Sequence, residues 1–507
     1  MTELVDNDSS ESSSGAAGTG ESEAETEGAE QSLGTTAARG YLWANLGVFT
    51  RYFSALLLAA VLARTLTTSE YAVMITVMLL TFYFDSALDL GMGAALIYEQ
   101  EEGITKRVQV AFTANVMLSV VLAILAFFIA PVVTSFFNLE GYEAIFRCLP
   151  ILILMSGMTT VPWALFEREL EFRKRAIVEV TRDFGRFVIT IALAAAGFGA
   201  WAVMIGLFFT YAIWLVGTWY FIRFRPRPAW DTPTVKELFA YAWRMAGNRL
   251  LGMLALNGDY FIAANRQPSQ YPMYYQAFRL PEFVMGGQLN AMSAVLFPMY
   301  SRIRSDGPEA LRQAMYKALR LVALFSLPVG AGLALIARDS IHVMYGTDAP
   351  VAVTTMQLLS LAGCIVGLGY ATGDLLFAIG KPGVMMRFNL VMVPLMLLSM
   401  WLVAPNGVQW IAAVHLCVAI VFVALRQVVV NRMVGASFLP TVQSLVPGLV
   451  CTAFVVAFAL PVRLVTSVGI LSMFAIVAAG AVGAVLSAIV HPPIRTEVQD
   501  LITRVRG

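Results

Sequence analysis

The chain has 507 residues, of which 58% are hydrophobic and only 13% are charged. Soluble domains average about 45–50% apolar and about 25% charged residues, so this composition excludes a soluble protein and indicates an integral membrane protein. The formal net charge is +1. This near-neutral balance gives no reason to expect a nucleic acid as a partner, because nucleic-acid-binding chains carry a strong basic excess.

The first forty residues differ in composition from the rest of the chain. Residues 1–40 contain no aromatic side chain, are rich in Ser, Gly and Ala, and hold nine acidic residues but no basic residue before Arg39. Such a segment cannot bury enough apolar surface to order itself, and it lacks the basic and apolar regions of a signal peptide. We therefore expect residues 1–40 to form a disordered acidic cytoplasmic tail. The rest of the chain is basic, with 34 basic residues against 24 acids, which is 33 less the nine of the tail.

The remainder of the chain is dominated by apolar segments. A helix that crosses a bilayer needs about 20 mostly apolar residues, and a window of that length finds about fourteen candidates. They are residues 41–63, 71–93, 108–132, 145–166, 177–197, 200–222, 244–265, 272–298, 316–337, 352–379, 384–404, 408–430, 439–460 and 464–490. The predicted fold class is therefore an all-α integral membrane protein.

The distribution of basic residues predicts the orientation of these helices. If the acidic tail lies in the cytoplasm, basic residues are concentrated in every second connection, from Lys106 and Arg107 to Arg426 and Arg432. The opposite connections hold only Arg64, Arg266, Arg338 and Arg463. This bias follows the positive-inside rule and predicts that both termini lie on the cytoplasmic side of the cell (inner) membrane. Residues 225–244 and 301–320 mix basic and apolar residues at helical spacing and are expected to lie along the inner membrane surface.

An internal repeat relates the two halves of the chain. Residues 41–71 and 241–271 match without a gap at a constant offset of 200 positions, and the identical pairs include Tyr41 with Tyr241, Gly47 with Gly247 and Tyr71 with Tyr271. The match predicts two pseudo-symmetric six-helix bundles in the same membrane orientation, with substrate sites near the midplane between them. The expected units are an N-terminal lobe over 41–225, a C-terminal lobe with a cytoplasmic connecting helix over 226–432, and two extra helices with a short cytoplasmic tail over 433–507.

Several motifs in this order resemble those of Wzx-type polysaccharide flippases, which belong to the multidrug/oligosaccharidyl-lipid/polysaccharide exporter superfamily. Among them are "DLGMGAALIYEQ" closing the second helix, "PWALFERELEFRKRAIVEV" after the fourth and "VLFPMYSR" after the eighth. The resemblance implies a transporter that turns polyprenyl-diphosphate-linked oligosaccharide from the inner to the outer leaflet by alternating access. It also implies a role in lipopolysaccharide, capsule or exopolysaccharide synthesis, with a polysaccharide polymerase and export machinery as candidate partners beside membrane lipid.

Charged residues near the midplane of the N-terminal lobe are the first candidates for a site. They are Arg51, Asp85, Asp89, Arg182, Asp183 and Arg186. A charge in the bilayer is costly and is retained only with a partner, a wet cavity or a function. A diphosphate that crosses the membrane needs fixed positive charge, and guanidinium groups bind phosphate oxygens two at a time. We expect Arg51, Arg182 and Arg186 to contact the headgroup, with the acids as their partners. The alternative is that pairs such as Arg51 with Asp85 only hold the lobe together.

The C-terminal lobe has its own group of polar residues in apolar surroundings. Asn257 and Asp259 interrupt the predicted helix 244–265, and Arg279 and Glu282 lie at similar depth on the next helix. Pro281 removes a helical hydrogen bond and allows a local bend. We expect an Asp259–Arg279 ion pair that lines the C-terminal side of the cavity, with Asn257 beside it. A purely structural pair remains the alternative.

Other functional classes are less consistent with the sequence. A multidrug/cation antiporter of the same superfamily would need a cavity that favours cations, and three midplane arginines argue against it. A polymerase or ligase would usually present a large outer loop with catalytic groups, and none is predicted, so we do not expect an enzyme. The chain has no P-loop or HExxH pattern and its four cysteines are scattered, so no metal or cofactor is expected. A non-transporting membrane scaffold would pair its charges without a cavity between the lobes.

Overall fold

A computed structural model describes residues 50, 53–89, 104–169, 171–222, 227–497 and 499. Within these ranges the chain is helical and contains no β-strand. The helices, numbered α1 to α17 in chain order, are Phe53–Thr65, Thr68–Leu88, Ile104–Phe136, Glu143–Phe146, Leu149–Arg168, Phe172–Ala195, Ala200–Phe221, Thr232–Arg266, Tyr271–Ile303, Pro308–Leu335, Ala337–Tyr345, Pro350–Ala378, Pro382–Val403, Val408–Val434, Phe438–Gln443, Val446–Val465 and Ile470–Val490.

The predicted all-helical membrane fold is confirmed. Ten membrane spans are long and apolar enough to cross a bilayer among the residues that the structure describes. Four further predicted segments coincide with α1, α6, α8 and α9, which are shorter or carry more charged residues. The total of fourteen spans therefore stays a prediction.

The two segments expected to lie along the membrane surface, residues 225–244 and 301–320, do not form helices of their own but belong largely to the long helices α8, α9 and α10. Helix α8 runs without a break for 35 residues, and it begins at Asp231, whose carboxylate accepts a hydrogen bond from the backbone N–H of Thr234. At about 1.5 Å per residue α8 is roughly 52 Å long, more than the hydrocarbon core of about 30 Å. Near residue 307 the chain similarly passes from α9 to α10 through a 3₁₀ turn and Gly307, whose φ of 102° favours glycine. The expected connecting helix is thus part of α8.

The same helix pairs pack in both halves of the molecule. Helix α5 packs against α2, α3 and α7, and in the second half α12 packs against the corresponding helices α9, α10 and α14. The contact between α6 and α7 likewise recurs between α13 and α14. Helices α16 and α17 pack on each other and join the second half through α10. This recurrence agrees with two repeats followed by two extra helices, and the parallel orientation of the repeats stays a prediction.

At one end of the bundle the two lobes are joined by buried aromatic residues, which we call the interlobe seal. It contains Tyr71 of the first lobe and Tyr260, Tyr271, Tyr274 and Tyr275 of the second, and none is more than 4% exposed. The Tyr71 and Tyr275 rings meet edge to face across the interface, with centroids 6.0 Å apart. Tyr71 and Tyr271, the last identical pair of the sequence repeat, therefore both lie in the contact between the lobes.

Two asparagines bridge the lobes beside the interlobe seal. The side-chain amide of Asn265 donates to the carbonyl oxygen of Phe136 at 2.8 Å, and that of Asn138 donates to the carbonyl oxygen of Ala264 at 3.5 Å. Asn138 has a φ of 54°, a left-handed conformation that asparagine adopts more readily than most residues. We call Asn138 and Asn265 the asparagine bridge. It ties the end of α3 to the end of α8 by hydrogen bonds to backbone.

Close helix packing at glycine gives a first testable prediction. A Cβ added at Gly330 of α10 would lie 2.5 Å from the Cβ of Cys364 and 3.0 Å from the carbonyl oxygen of Ser360, whereas one added at Gly332 would meet nothing within 4 Å. Overpacking of this kind costs about 1–3 kcal/mol. Gly330→Ala is expected to lower the melting temperature of the detergent-purified protein, and Gly332→Ala, two residues along the same helix, is the matched control. Equal melting temperatures for the two variants would contradict the observed α10–α12 packing.

Candidate functional site

A cavity of about 650 Å³ lies between the two lobes, next to the interlobe seal. This volume is within the range of about 300–1,000 Å³ that is usual for ligand sites. Helices α1, α2, α6 and α7 line it from the first lobe, and α8, α9, α12 and α14 from the second. Its charged and strongly polar lining residues are Asp85, Arg182, Asp183, Arg186, Asn257, Arg279, Glu282 and His415. Seven of these eight were expected from the sequence.

Three of the predicted site residues are placed elsewhere or are not covered. Arg51 lies outside the described residues, so its expected contact with a headgroup or with Asp85 stays a prediction. Asp89 ends α2 and is not among the residues that line the cavity. Asp259 is buried behind the wall, with 1% of its surface exposed, and does not line the cavity as expected.

The two arginines of α6 differ in their partners. Arg182 forms an ion pair with the neighbouring Asp183, with Nε 3.0 Å from Oδ1, and its guanidinium lies 5.6 Å from the Trp214 ring centroid. Arg186 also lines the cavity, but no acidic side chain lies within 4 Å of it in the described part of the chain. The structural-pair alternative therefore fits Arg182 and does not fit Arg186.

Asp85 of α2 is held by hydroxyl groups. Its Oδ1 accepts a hydrogen bond from Ser156 at 2.6 Å, and its Oδ2 accepts one from the Tyr211 hydroxyl at 2.5 Å. Two donors on one carboxylate fix its orientation and replace part of the lost hydration. Neither partner could be expected from the sequence, because a serine and a tyrosine inside apolar helices give no signal that they face a carboxylate.

The expected Asp259–Arg279 pair does not form. Arg279 instead pairs with Glu282 of its own helix at 2.8 Å, and it also donates to the Tyr275 hydroxyl. Asp259 accepts a hydrogen bond of 2.6 Å from the Tyr274 hydroxyl. The reason is local geometry, since residues three apart on a helix are neighbours and need no contact between helices. The spacing of Arg279 and Glu282 in the sequence therefore favours a pair within α9 over a pair with Asp259.

Aromatic side chains form much of the remaining cavity wall. They are Phe82, Tyr211, Trp214, Tyr260, Tyr275, Phe278 and Tyr370. In the sequence they could not be told from aromatic residues that face lipid. The cavity wall thus contains one guanidinium without an acidic partner, two ion pairs, one carboxylate held by hydroxyls, and flat apolar surfaces. Such a wall can hold an anionic headgroup and pack against sugar rings or chain.

Comparison with known proteins places the chain among polysaccharide biosynthesis proteins. The profile of the family described as "Polysaccharide biosynthesis protein" matches residues 61–353, more than half of the chain. The succinoglycan biosynthesis transport protein ExoT of Rhizobium meliloti (strain 1021) is 23% identical over 303 residues, which span 60% of this chain and 61% of ExoT. The lipopolysaccharide biosynthesis protein WzxC of Escherichia coli (strain K12) is 21% identical over 336 residues, which span 65% of this chain and 67% of WzxC.

Solved structures of similar shape are all-helical membrane transporters. The lipid II flippase MurJ in an inward closed conformation superposes with a TM-score of 0.71 at 13% identity, over 91% of this chain and all of MurJ. An inward-facing multidrug resistance transporter of the MATE family superposes with a TM-score of 0.58 at 14% identity, over 78% of this chain and 96% of that one. At such low identity these likenesses establish the fold alone. Together with the family match, they show that the chain is a helical membrane protein belonging to the polysaccharide biosynthesis protein family.

Proposed function

We propose that the protein moves polyprenyl-diphosphate-linked oligosaccharide from the inner to the outer leaflet of the cell membrane by alternating access of the cavity between its lobes. The observation that carries this proposal is Arg186, a guanidinium that lines the cavity and has no acidic partner among the described residues. Its charge is available to a ligand, unlike those of Arg182 and Arg279, which are held by Asp183 and Glu282.

The chemistry of the headgroup fits this cavity. A diphosphate loses its hydration when it enters a membrane and needs charged hydrogen-bond donors in return. A guanidinium offers two parallel N–H groups to phosphate oxygens and stays charged at any physiological pH. The names of ExoT and WzxC, which refer to succinoglycan transport and lipopolysaccharide biosynthesis, agree with a saccharide cargo. A role in export of a surface polysaccharide follows, with the polymerase and export machinery as its expected partners.

The predicted membrane orientation indicates which face of the membrane the cavity is closed towards in this conformation. The interlobe seal lies beside the connections that carry few basic residues, which the positive-inside rule places outside. In this state the cavity is therefore closed towards the outer face, with both termini on the cytoplasmic side. A substrate would enter from the cytoplasmic leaflet, and rearrangement of the seal would release it outwards.

The cavity also bears on the two alternative functions, a membrane scaffold and a cation antiporter. A scaffold without transport was expected to have no cavity between its lobes, and the cavity argues against it. A cation antiporter is favoured by one observation, the three acids Asp85, Asp183 and Glu282 in the cavity wall. Two of them are neutralised by arginines, and Asp85 accepts hydrogen bonds from two hydroxyls. In the described wall the charged groups without an ion-pair partner are then Asp85, whose carboxylate is held by the two hydroxyls, and Arg186, whose guanidinium repels a cation.

A vesicle experiment tests the proposed function. The purified protein is reconstituted with a fluorescent polyprenyl-diphosphate sugar, and label in the outer leaflet is quenched by a reagent that does not cross the membrane. We expect the protein to exchange the lipid between leaflets faster than empty vesicles do, and to leave a lipophilic cation such as ethidium where it was. Transport of ethidium without lipid exchange would instead support the antiporter.

A further inference from the structure

Three side chains that can carry a proton meet inside the second lobe, behind the cavity wall. Asp259 of α8 accepts a hydrogen bond of 2.6 Å from the Tyr274 hydroxyl of α9, and its Oδ2 lies 3.9 Å from Nδ1 of His415 on α14. Asp259 is 1% exposed, and Nδ1 of His415 is buried without a hydrogen-bond partner. We call these three residues the Asp–Tyr–His cluster. Headgroup binding by the cavity arginines does not account for the presence of this cluster.

The surroundings of Asp259 provide no fixed positive charge to balance it. Arg279 and Glu282 of α9 lie close to the cluster, but they pair with each other. The other titratable groups that face the cluster are Tyr260 on α8, Tyr271 on α9 and Tyr83 on α2. Helix α13 contributes Leu397 beside Gly258, and its one charged residue, Arg387, is ten positions away along that helix. Of the side chains that the structure describes, His415 alone is placed to neutralise an ionised Asp259.

This arrangement favours one bound proton. With one proton shared between Asp259 and His415 the pair is neutral overall, whichever group holds it. With none the pair carries −1, and with two it carries +1, and either charge is costly in a membrane interior. The proton is therefore released only when water or a new partner reaches the cluster.

The ligands of the cluster suit a proton better than a sodium ion. Hard cations prefer a shell of several oxygen atoms. Here the carboxylate of Asp259 already accepts the Tyr274 hydroxyl, and its next neighbour is a histidine nitrogen rather than an oxygen. A bound sodium ion would disrupt that hydrogen bond and would find fewer oxygen ligands than it needs.

His415 links the cluster to the cavity. It is one of the residues that line the cavity, whereas Asp259 does not. We propose that the Asp–Tyr–His cluster is a proton-binding site that exchanges its proton with the cavity through His415, and that this proton is the ion coupled to transport. The coupling of this proton to transport rests on the proposed function, whereas the proton-binding site does not.

Proton counting tests the binding site without any lipid substrate. Detergent-purified protein in weak buffer and potassium chloride is brought from mildly acidic to mildly alkaline pH, and the released protons are measured with an indicator dye. The double variant Asp259→Asn, His415→Gln is expected to release about one proton fewer than the wild type. Asp339→Asn is the matched control, because Asp339 is also buried but has a fixed positive charge, Arg463, and the backbone N–H of Gly469 beside it. Equal release by the wild type and the double variant overturns the site, as does proton release on addition of sodium chloride at constant pH.

A transport measurement tests the coupling. In vesicles with the labelled polyprenyl-diphosphate sugar, an imposed proton gradient is expected to speed lipid exchange by the wild type, and a sodium gradient is not. The test value is the ratio of exchange with and without the gradient, because His415 also lines the cavity and its replacement can change the basal rate. In His415→Gln this ratio is expected to fall to one, whereas His342→Gln, at an exposed histidine paired with Asp348, should keep the wild-type ratio. Stimulation that persists in His415→Gln removes the coupling role. If no lipid exchange occurs in any protein, the proposed function fails while the proton count still stands or falls separately.

Discussion

Exchange of a labelled polyprenyl-diphosphate sugar is expected to be largely lost in Arg186→Ala and only partly retained in Arg186→Lys. Hydrogen bonds to charged groups contribute about 1.5–3 kcal/mol each, so one lost contact corresponds to an about ten- to hundredfold weaker binding of the headgroup. Lysine restores a point charge but not the planar pair of donors that matches two phosphate oxygens. The measurement is the rate of lipid exchange in vesicles against lipid concentration, for equal amounts of monodisperse protein.

The control for Arg186 lies on the same helix. Arg175 pairs with Glu179 at 3.3 Å, lies over the Trp163 ring and is not among the residues that line the cavity. Arg175→Ala is expected to leave the concentration dependence of exchange close to that of the wild type. If Arg175→Ala and Arg186→Ala lose activity to the same extent, the loss reflects the stability of α6. The headgroup assignment of Arg186 would then be wrong.

Linking the lobes at the asparagine bridge is expected to stop transport completely. Alternating access requires the seal to open, and a covalent link between α3 and α8 prevents it. The variant Asn138→Cys, Asn265→Cys, in a background with the native cysteines replaced, is treated with a short cleavable thiol crosslinker. We expect lipid exchange to fall to the level of empty vesicles and to return when the link is cleaved by a reductant.

A link within one lobe separates this effect from chemical damage. Ser69 and Tyr142 both belong to the first lobe, and their hydroxyl oxygens are 3.2 Å apart at the same end of the bundle. Crosslinking Ser69→Cys with Tyr142→Cys is expected to leave exchange unchanged. Full activity of the protein linked at positions 138 and 265 would show that the lobes need not separate there, and would contradict alternating access at the seal.

The helices could be read from the sequence more reliably than their ends. Apolar windows locate the spans because the bilayer excludes polar side chains over a fixed thickness. A connecting helix was expected within residues 225–244, but its continuity with the span over 244–265 was not, although Asp231 with Thr234 marks the helix start. Once outside the hydrocarbon, a helix is no longer marked by hydropathy, and its capping residues become the better signal.

The site could be predicted residue by residue but not contact by contact. Charges such as Asp85, Arg182 and Arg186 stand out because each is costly in a membrane unless it has a role. The side chains that hold the carboxylates of Asp85 and Asp259 are hydroxyls, such as Tyr211 on Asp85 and Tyr274 on Asp259. Tyrosine has an apolar ring and a polar tip, so its position on a helix does not reveal which of the two is used. Pairing in a membrane protein therefore requires the packing of the helices to be known.

The composition of the interlobe seal also bears on the electrical insulation of the membrane. A pathway wide enough for a lipid headgroup would conduct ions if it were ever filled with water from end to end. The seal is built from tightly packed aromatic rings that are almost fully shielded from solvent. A constriction of this kind dewets and presents a high barrier to any hydrated ion. The cell can then keep its membrane potential while the cavity waits for cargo, and a polar substitution such as Tyr71→Asn would create a leak before it impaired transport.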